Sequence, residues 1–327
     1  MEIVIDKRIE LLTVVQTLCG YWDNLALRHA SEPLYQCKYK EDIKEYFEKH
    51  KNHGIIESYN IFSNDIKDIS APIKMALCYS NPPELKNIAQ KNEDNFLTTD
   101  NSTYPHEEFI PKLRKFYTDA NFERFYQKCQ NEYIKILNDY GSKTELSVDT
   151  AFDYLGYKAD NYNIIISPLT MGGFGIRVKA DSNEVLNYSV ISPFDYRENK
   201  YDFGSLQFKK EFVWHEIGHL AISDLTRGYL SQFNLTGKQV PEIYLNNFYT
   251  SIENITEEYI IRAITIRLVE MNGGLEIMEF PMESHVLQGF KNILAIKDYI
   301  RKYCEEDNKL AKDNRYKKLL EYVLGKI

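Results

Sequence analysis

An α+β fold is predicted, with a mostly helical N-terminal region over 1–145 and a region over 146–327 that holds a small sheet, a motif-bearing helix and C-terminal helices. Three observations carry this. Apolar and aromatic residues recur at helical spacing through much of the first 140 residues. Short β-branched runs bounded by Pro and Gly follow between 162 and 192. Residues 213–223 then form an apolar stretch with no Pro and one charged residue, Glu216, which suits an uninterrupted, largely buried helix. A chain of 327 residues can hold these regions as two domains or integrate them into one.

The elements follow in order. Ile3 to Ile5 reads as a short strand, and Leu11, Leu12, Val15, Leu18 and Cys19 give the next helix an apolar face. A second helix is expected over Glu41 to His50, and a loop at Asn81-Pro82-Pro83-Glu84 after the apolar run Ile73–Tyr79. The polar stretch 90–107 reads as an exposed loop. From Pro111 to Asn138 residues such as Leu113, Phe116, Phe122, Phe125, Tyr133 and Leu137 keep helical spacing. Tyr162–Ser167 and Asn187–Ser192 read as strands, and the Gly-rich Met171–Val178 segment as a turn running into a third. Beyond the motif helix and a Tyr/Asn-rich connection over 232–250, Ile252 to Glu270 is strongly helical and stops at Asn272-Gly273-Gly274. Two amphipathic helices, about 284–304 and 308–324, close the chain.

Composition excludes several classes of function. Net charge is −8, with no Lys/Arg block, which argues against a nucleic acid or an anionic membrane as partner. No apolar run approaches the ~20 residues that a membrane span requires. The five Cys (Cys19, Cys37, Cys78, Cys129, Cys304) are scattered and odd in number, as expected of buried thiols in a reducing compartment. With no signal-like segment at the start, the cytoplasm is the expected location, and a secreted form with its leader removed is the alternative.

The chemistry-bearing motif is His215-Glu216-Ile217-Gly218-His219, a match to H-E-x-x-H. Residues four apart share one helix face, so both imidazoles can aim at one ion, with Glu216 set to act on water as general base. With seven His in the chain, a chance match is expected about once in a hundred such sequences. A catalytic zinc takes three protein ligands and leaves one position for water. The metzincin pattern wants Gly and His three and six residues after the second His, where this chain has Ile222 and Leu225. Strands, an H-E-x-x-H helix and then another helix is the order of a zincin core, so the third ligand is sought in 252–268. Glu253, Glu257 and Glu258 compete there. Glu258 lies between Ile255 and Ile261, where a carboxylate is costly unless paired or metal-bound, and Arg262 is its natural partner. Glu257 is the reserve, and an ordinary i,i+4 Glu258–Arg262 pair is the bland alternative.

With zinc on His215, His219 and Glu258, peptide hydrolysis is expected, Glu216 accepting the water's proton and returning it to the leaving amine. His285, Tyr244 and Tyr249 are candidate oxyanion donors, with packing as the competing role for each. Gly172, Gly173 and Phe174 form either a tight hairpin or a place where a peptide substrate approaches an edge strand. They lack the Gly-Lys-Ser/Thr ending of a phosphate-binding loop. His50 and His53 read as a solvated helix end.

Five blocks carry a family resemblance: Val4–Thr13, Tyr46–His53, Gly172–Gly175, His215–His219 and Glu258-Tyr259-Ile260-Ile261-Arg262-Ala263. In this order they resemble an uncharacterised bacterial family of H-E-x-x-H metallopeptidases, gluzincin-like and counted as a domain of unknown function. The resemblance covers most of the chain. It implies a zincin fold with a helical N-terminal part and raises Glu258 above Glu257. Two other readings stand beside the zinc peptidase: a non-catalytic metal-binding protein of the same fold that binds a peptide or protein partner, and a helical interaction module in which HEIGH is simply core.

Overall fold

The computed structural model describes residues 1–28, 34–63, 68–90, 106–142, 145–235, 238–247 and 249–327. In chain order the elements begin with β1 (Ile3–Val4), α1 (Lys7–Cys19), α2 (Tyr21–Arg28), α3 (Lys38–Tyr46), α4 (Gly54–Ser63), α5 (Ala71–Leu77), α6 (His106–Asp119), α7 (Phe122–Lys128) and α8 (Gln130–Tyr140). There follow α9 (Val148–Tyr154), β2 (Asn161–Ile166), β3 (Gly173–Lys179), β4 (Val185–Ile191), β5 (Asp195–Arg197), β6 (Lys200–Asp202), α10 (Leu206–Leu230) and α11 (Glu242–Leu245). The chain closes with α12 (Ile252–Asn272), α13 (Met282–Leu287), α14 (Ile293–Tyr299), the pair β7 (Glu305–Glu306) and β8 (Lys309–Leu310), and α15 (Asn314–Leu324). The fold is α+β. Most of the polar stretch 90–107 lies outside the described residues. No helix among them is long and apolar enough to cross a membrane, and no disulfide joins any two of the cysteines.

Two compact units divide the chain, one of residues 1–143 with 161–203, the other of residues 144–160 with 204–327. The division therefore differs from a single boundary at 145/146: the sheet groups with the N-terminal helices. In the first unit α1 is buried nearly all round, with Ile9, Leu11, Leu12, Val14 and Val15 fully enclosed. Asp6 caps its start by accepting from Arg8 N at 2.9 Å, and Gly20 ends it at φ +64°. The sheet runs β1-β2-β4-β3; β1, β2 and β4 are parallel and β3 lies antiparallel at the edge. Ile164 to Ile166 are fully buried, so β2 reads as a continuous apolar run, as strands covered on both faces do.

In the second unit α10 and α12 pack together. Ser205 caps α10 by accepting from Phe208 N, and Ser251 caps α12 by accepting from Asn254 N, both at 3.1 Å. Gly218 sits in their contact, where an added Cβ would lie 2.9 Å from Ile261 Cγ2. At the far end of α12, Arg267 donates to Glu305 at 2.8 Å and Lys297 to Glu270 at 2.9 Å, tying in α14 and β7.

Two sequence expectations need correction here. The segment 284–304 is not one helix: α13 ends at Leu287, and α14 starts at Ile293 and passes into a π-helical turn, Ile300–Cys304. The break falls at Gly289, whose φ is +100° and whose missing Cβ would meet the Tyr244 ring at 2.8 Å. The last helix starts at Asn314 rather than 308. Residues 305–310 instead form a hairpin turning through Asp307 and Asn308, at φ +51° and +58°, the left-handed pair that two-residue hairpin turns require.

Candidate metal centre

Helix α10 presents His215 and His219 one turn apart, with ring centroids 5.1 Å apart. Helix α12 brings Glu258 against them: His215 Nε2 lies 3.5 Å from its Oε1 and His219 Nε2 lies 3.6 Å from its Oε2. One ligand atom from each of the three falls within 4.8 Å of the others. Glu216, on the same turn of α10, is 2% exposed.

The surroundings fix each group. Glu258 is buried and accepts from Arg262 Nε at 2.6 Å. Burial alone would raise its pKa, yet the neighbouring charges of His215 and Arg262 and a hydrogen bond from His215 hold it well below the usual carboxylate range. For His219, burial disfavours charge, but the bond to Glu257 and the charges of Glu257, Glu216 and Glu258 push its pKa up to about 9. Glu257, the reserve ligand in the sequence, is turned to another task. Its Oε1 meets His219 Nδ1 at 2.8 Å and accepts from Ser223 Oγ at 2.6 Å. Held at Nδ1, His219 turns Nε2 to the shared position, as second-sphere carboxylates do for metal-bound imidazoles.

Arg262 is the hub behind the site. Besides Glu258 it reaches His285 Nδ1 at 3.1 Å, Tyr249 Oη at 3.0 Å and Gln288 Oε1 at 2.7 Å. Its guanidinium carbon stands 4.2 Å from the centre of the Phe290 ring. Because Arg can only donate, His285 Nδ1 is the acceptor and its proton sits on Nε2. Burial, followed by the charges of Arg262 and His215, pushes the His285 pKa down to about 3, so the ring is neutral.

The other sequence candidates separate. His285 and Tyr249 join the network through Arg262. Tyr244 does not: it is buried, donates to Gly289 O at 2.9 Å and packs on Phe290, a packing role. Gly172, Gly173 and Phe174 belong to the sheet-bearing unit, and Phe174 is buried with its ring centre 6.4 Å from that of Trp22. His53 faces Asp119 at 3.3 Å and packs edge-on to Phe116. Sequence reading missed Ser223, Gln288 and Phe290. A Gly inside a helical pattern at 289 is the signal beside Gln288 and Phe290, and Ser223 has none beyond its place four residues after His219.

Fold and site together define an α+β protein with a convergent His–His–Glu group in its helical unit. A family model described as a domain of unknown function, DUF4932, matches residues 1–324, and the chain belongs to that family. Neither a curated protein nor a solved structure matches it.

Proposed function

We propose that this protein is a zinc-dependent hydrolase, a metallopeptidase of zincin-like, gluzincin type that cleaves peptide bonds. The observation that carries this is the gathering of His215, His219 and Glu258 ligand atoms within 4.8 Å of one another, from two helices and around an H-E-x-x-H motif. The group fits a zinc ion chemically: two imidazole nitrogens and a carboxylate kept ionised, with outer partners on Glu258 and on His219 Nδ1. When bound, zinc supplies Lewis acidity, polarising a carbonyl and making a water more acidic.

The chain's own residues do the rest. Under this reading Glu216 takes one proton from the attacking water and delivers it to the leaving amine as the C–N bond breaks. His285, neutral and held at Nδ1 by Arg262, keeps an N–H at Nε2 for the developing oxyanion. Arg262 orients Glu258 and His285 together.

Elemental analysis of the protein purified without added metal, beside Glu258→Ala and Glu216→Gln, tests this. Near-stoichiometric zinc is expected in wild type and Glu216→Gln, with loss in Glu258→Ala. Glu216→Gln should lower peptide hydrolysis by two to four orders of magnitude, the usual contribution of general acid–base catalysis. Equal turnover by Glu216→Gln and wild type would overturn the mechanism. A wild-type chain that takes up no zinc even when offered it would overturn the whole reading.

A further inference from the structure

Beside the His–His–Glu group, the same helical unit opens a recess of about 540 Å³, its open mouth included. Phe208 and Phe212 of α10, Ile266 and Val269 of α12, and Met278 and Phe280 wall it, and His215 borders it. The recess and the His–His–Glu group therefore share His215.

Apart from His215 and His285 of the candidate metal centre, the polar groups that reach the recess already have hydrogen-bond partners. Glu211 accepts from Gln207 Nε2 and from the backbone N–H groups of Glu279 and Phe280, each at 2.9 Å. Arg262 is bonded to Glu258, His285, Tyr249 and Gln288. The Thr265 hydroxyl donates back to Ile261 O at 3.0 Å. A charged side chain entering here would lose its hydration and find the Glu211 oxygens and the Arg262 nitrogens already bonded, and a small one would leave the aromatic walls uncovered.

We infer that this recess receives a large apolar side chain, aromatic or long aliphatic, from the residue next to the bond that is cut. The inference rests on the hydrolase reading for the word "cut" and on the recess itself for the side chain. Each methylene in such a pocket is worth about 10–200-fold in discrimination. Exchanging Phe for Ala in a substrate should therefore lower kcat/KM by a hundredfold or more.

The test has a binding arm and a cleavage arm, both on the full chain. Binding of N-acetyl-4-fluorophenylalanine methylamide is followed by fluorine NMR, with the Leu, Ala, Asp and Lys analogues as competitors. Saturable binding is expected, with Leu competing and the other three weaker by at least about tenfold. Thr265→Trp, which fills the recess, should weaken the probe by at least about tenfold, and Phe212→Ala, which widens it, should also change affinity. Absence of saturable binding, equal competition by all analogues, or indifference to both variants would overturn the inference. In the cleavage arm a peptide digest is treated with the zinc-loaded chain and the new ends are sequenced. Large apolar residues should flank the cuts and give way to Ala and Gly in Thr265→Trp. Cuts without that preference would overturn the recess as a subsite and leave the hydrolase standing. Selective probe binding without any cut would sink the hydrolase reading and leave the recess as an apolar ligand site.

Discussion

At the scale of single residues, neighbouring glutamates divide the work. Glu257 and Glu258 are adjacent in sequence, yet one turns to His219 Nδ1 and the other to the Nε2 atoms of both histidines. Under the zinc reading Glu258→Ala removes a ligand, whereas Glu257→Gln only loosens one. Zinc affinity of Glu257→Gln is expected to fall about 10–100-fold, measured by competition with a chromophoric chelator. In the other unit, Glu10 is fully buried on α1, where the Tyr39 hydroxyl donates to it and Tyr133 stands behind Tyr39 at 3.1 Å. Burial, with a smaller push from Asp6 and opposed by the two tyrosines, raises its pKa from 4.5 to about 7. Between those values the folded chain holds more protons than the unfolded one, so stability falls as pH rises through that window. The loss should reach roughly 3 kcal/mol at most above the folded pKa. Urea denaturation from pH 4.5 to 7 should show this slope in wild type and a flatter one in Glu10→Gln.

At the scale of elements, the α10–α12 pair sets the site, and Gly218 sets the pair. The residue that H-E-x-x-H leaves unspecified before its second His is the one that lets α12 come close enough for Glu258 to reach both imidazoles. Ala is normally better than Gly in a helix by about 1 kcal/mol. Here its Cβ would press on Ile261 Cγ2, so Gly218→Ala should instead cost about 1–3 kcal/mol. Adding Ile261→Ala should relieve that pressure, giving a coupling of about 1 kcal/mol in a thermal-denaturation double-mutant cycle. Much of this was legible in the sequence. The unbroken apolar stretch announced α10, and a carboxylate set among isoleucines announced Glu258. The breaks were not. Apolar periodicity runs across 284–304 because Phe290 and Ile293, just after the interruption at Gly289, are buried where a continuing helix would also place apolar residues, and a pattern of burial does not record where the backbone turns. Likewise β7 and β8 hold two residues each, too short for alternation to show.

At the scale of the whole molecule, the units divide what the sequence joined. The strands precede α10 directly in sequence, yet they group with the N-terminal helices in the first unit, and linear order says nothing of which helices cover a sheet. Every member of the candidate metal centre and its hub belongs to the helical unit. Under the zinc reading the ion binds the folded state alone and stabilises it by about 2.7 kcal/mol at a hundredfold excess over Kd. Chelation should therefore lower Tm by several degrees, at about 2–4 °C per kcal/mol for a protein region of this size. Hydrogen exchange should quicken in α10 and α12 while β2 and β4 keep their protection, and a His215→Ala/His219→Ala chain should not respond to the chelator. The break at Gly289 carries one last lesson, for anyone improving this chain as a reagent. A search of the sequence pattern for mid-helix glycines to replace with Ala, a routine route to hardier proteins, would select it although it lies between α13 and α14. The new methyl would meet the Tyr244 ring on a backbone at φ +100°, shifting the segment that holds Phe290 against Arg262. A change chosen to toughen the scaffold would thus slacken the clamp on Glu258, and under the hydrolase reading the sturdier-looking sequence would be the poorer catalyst.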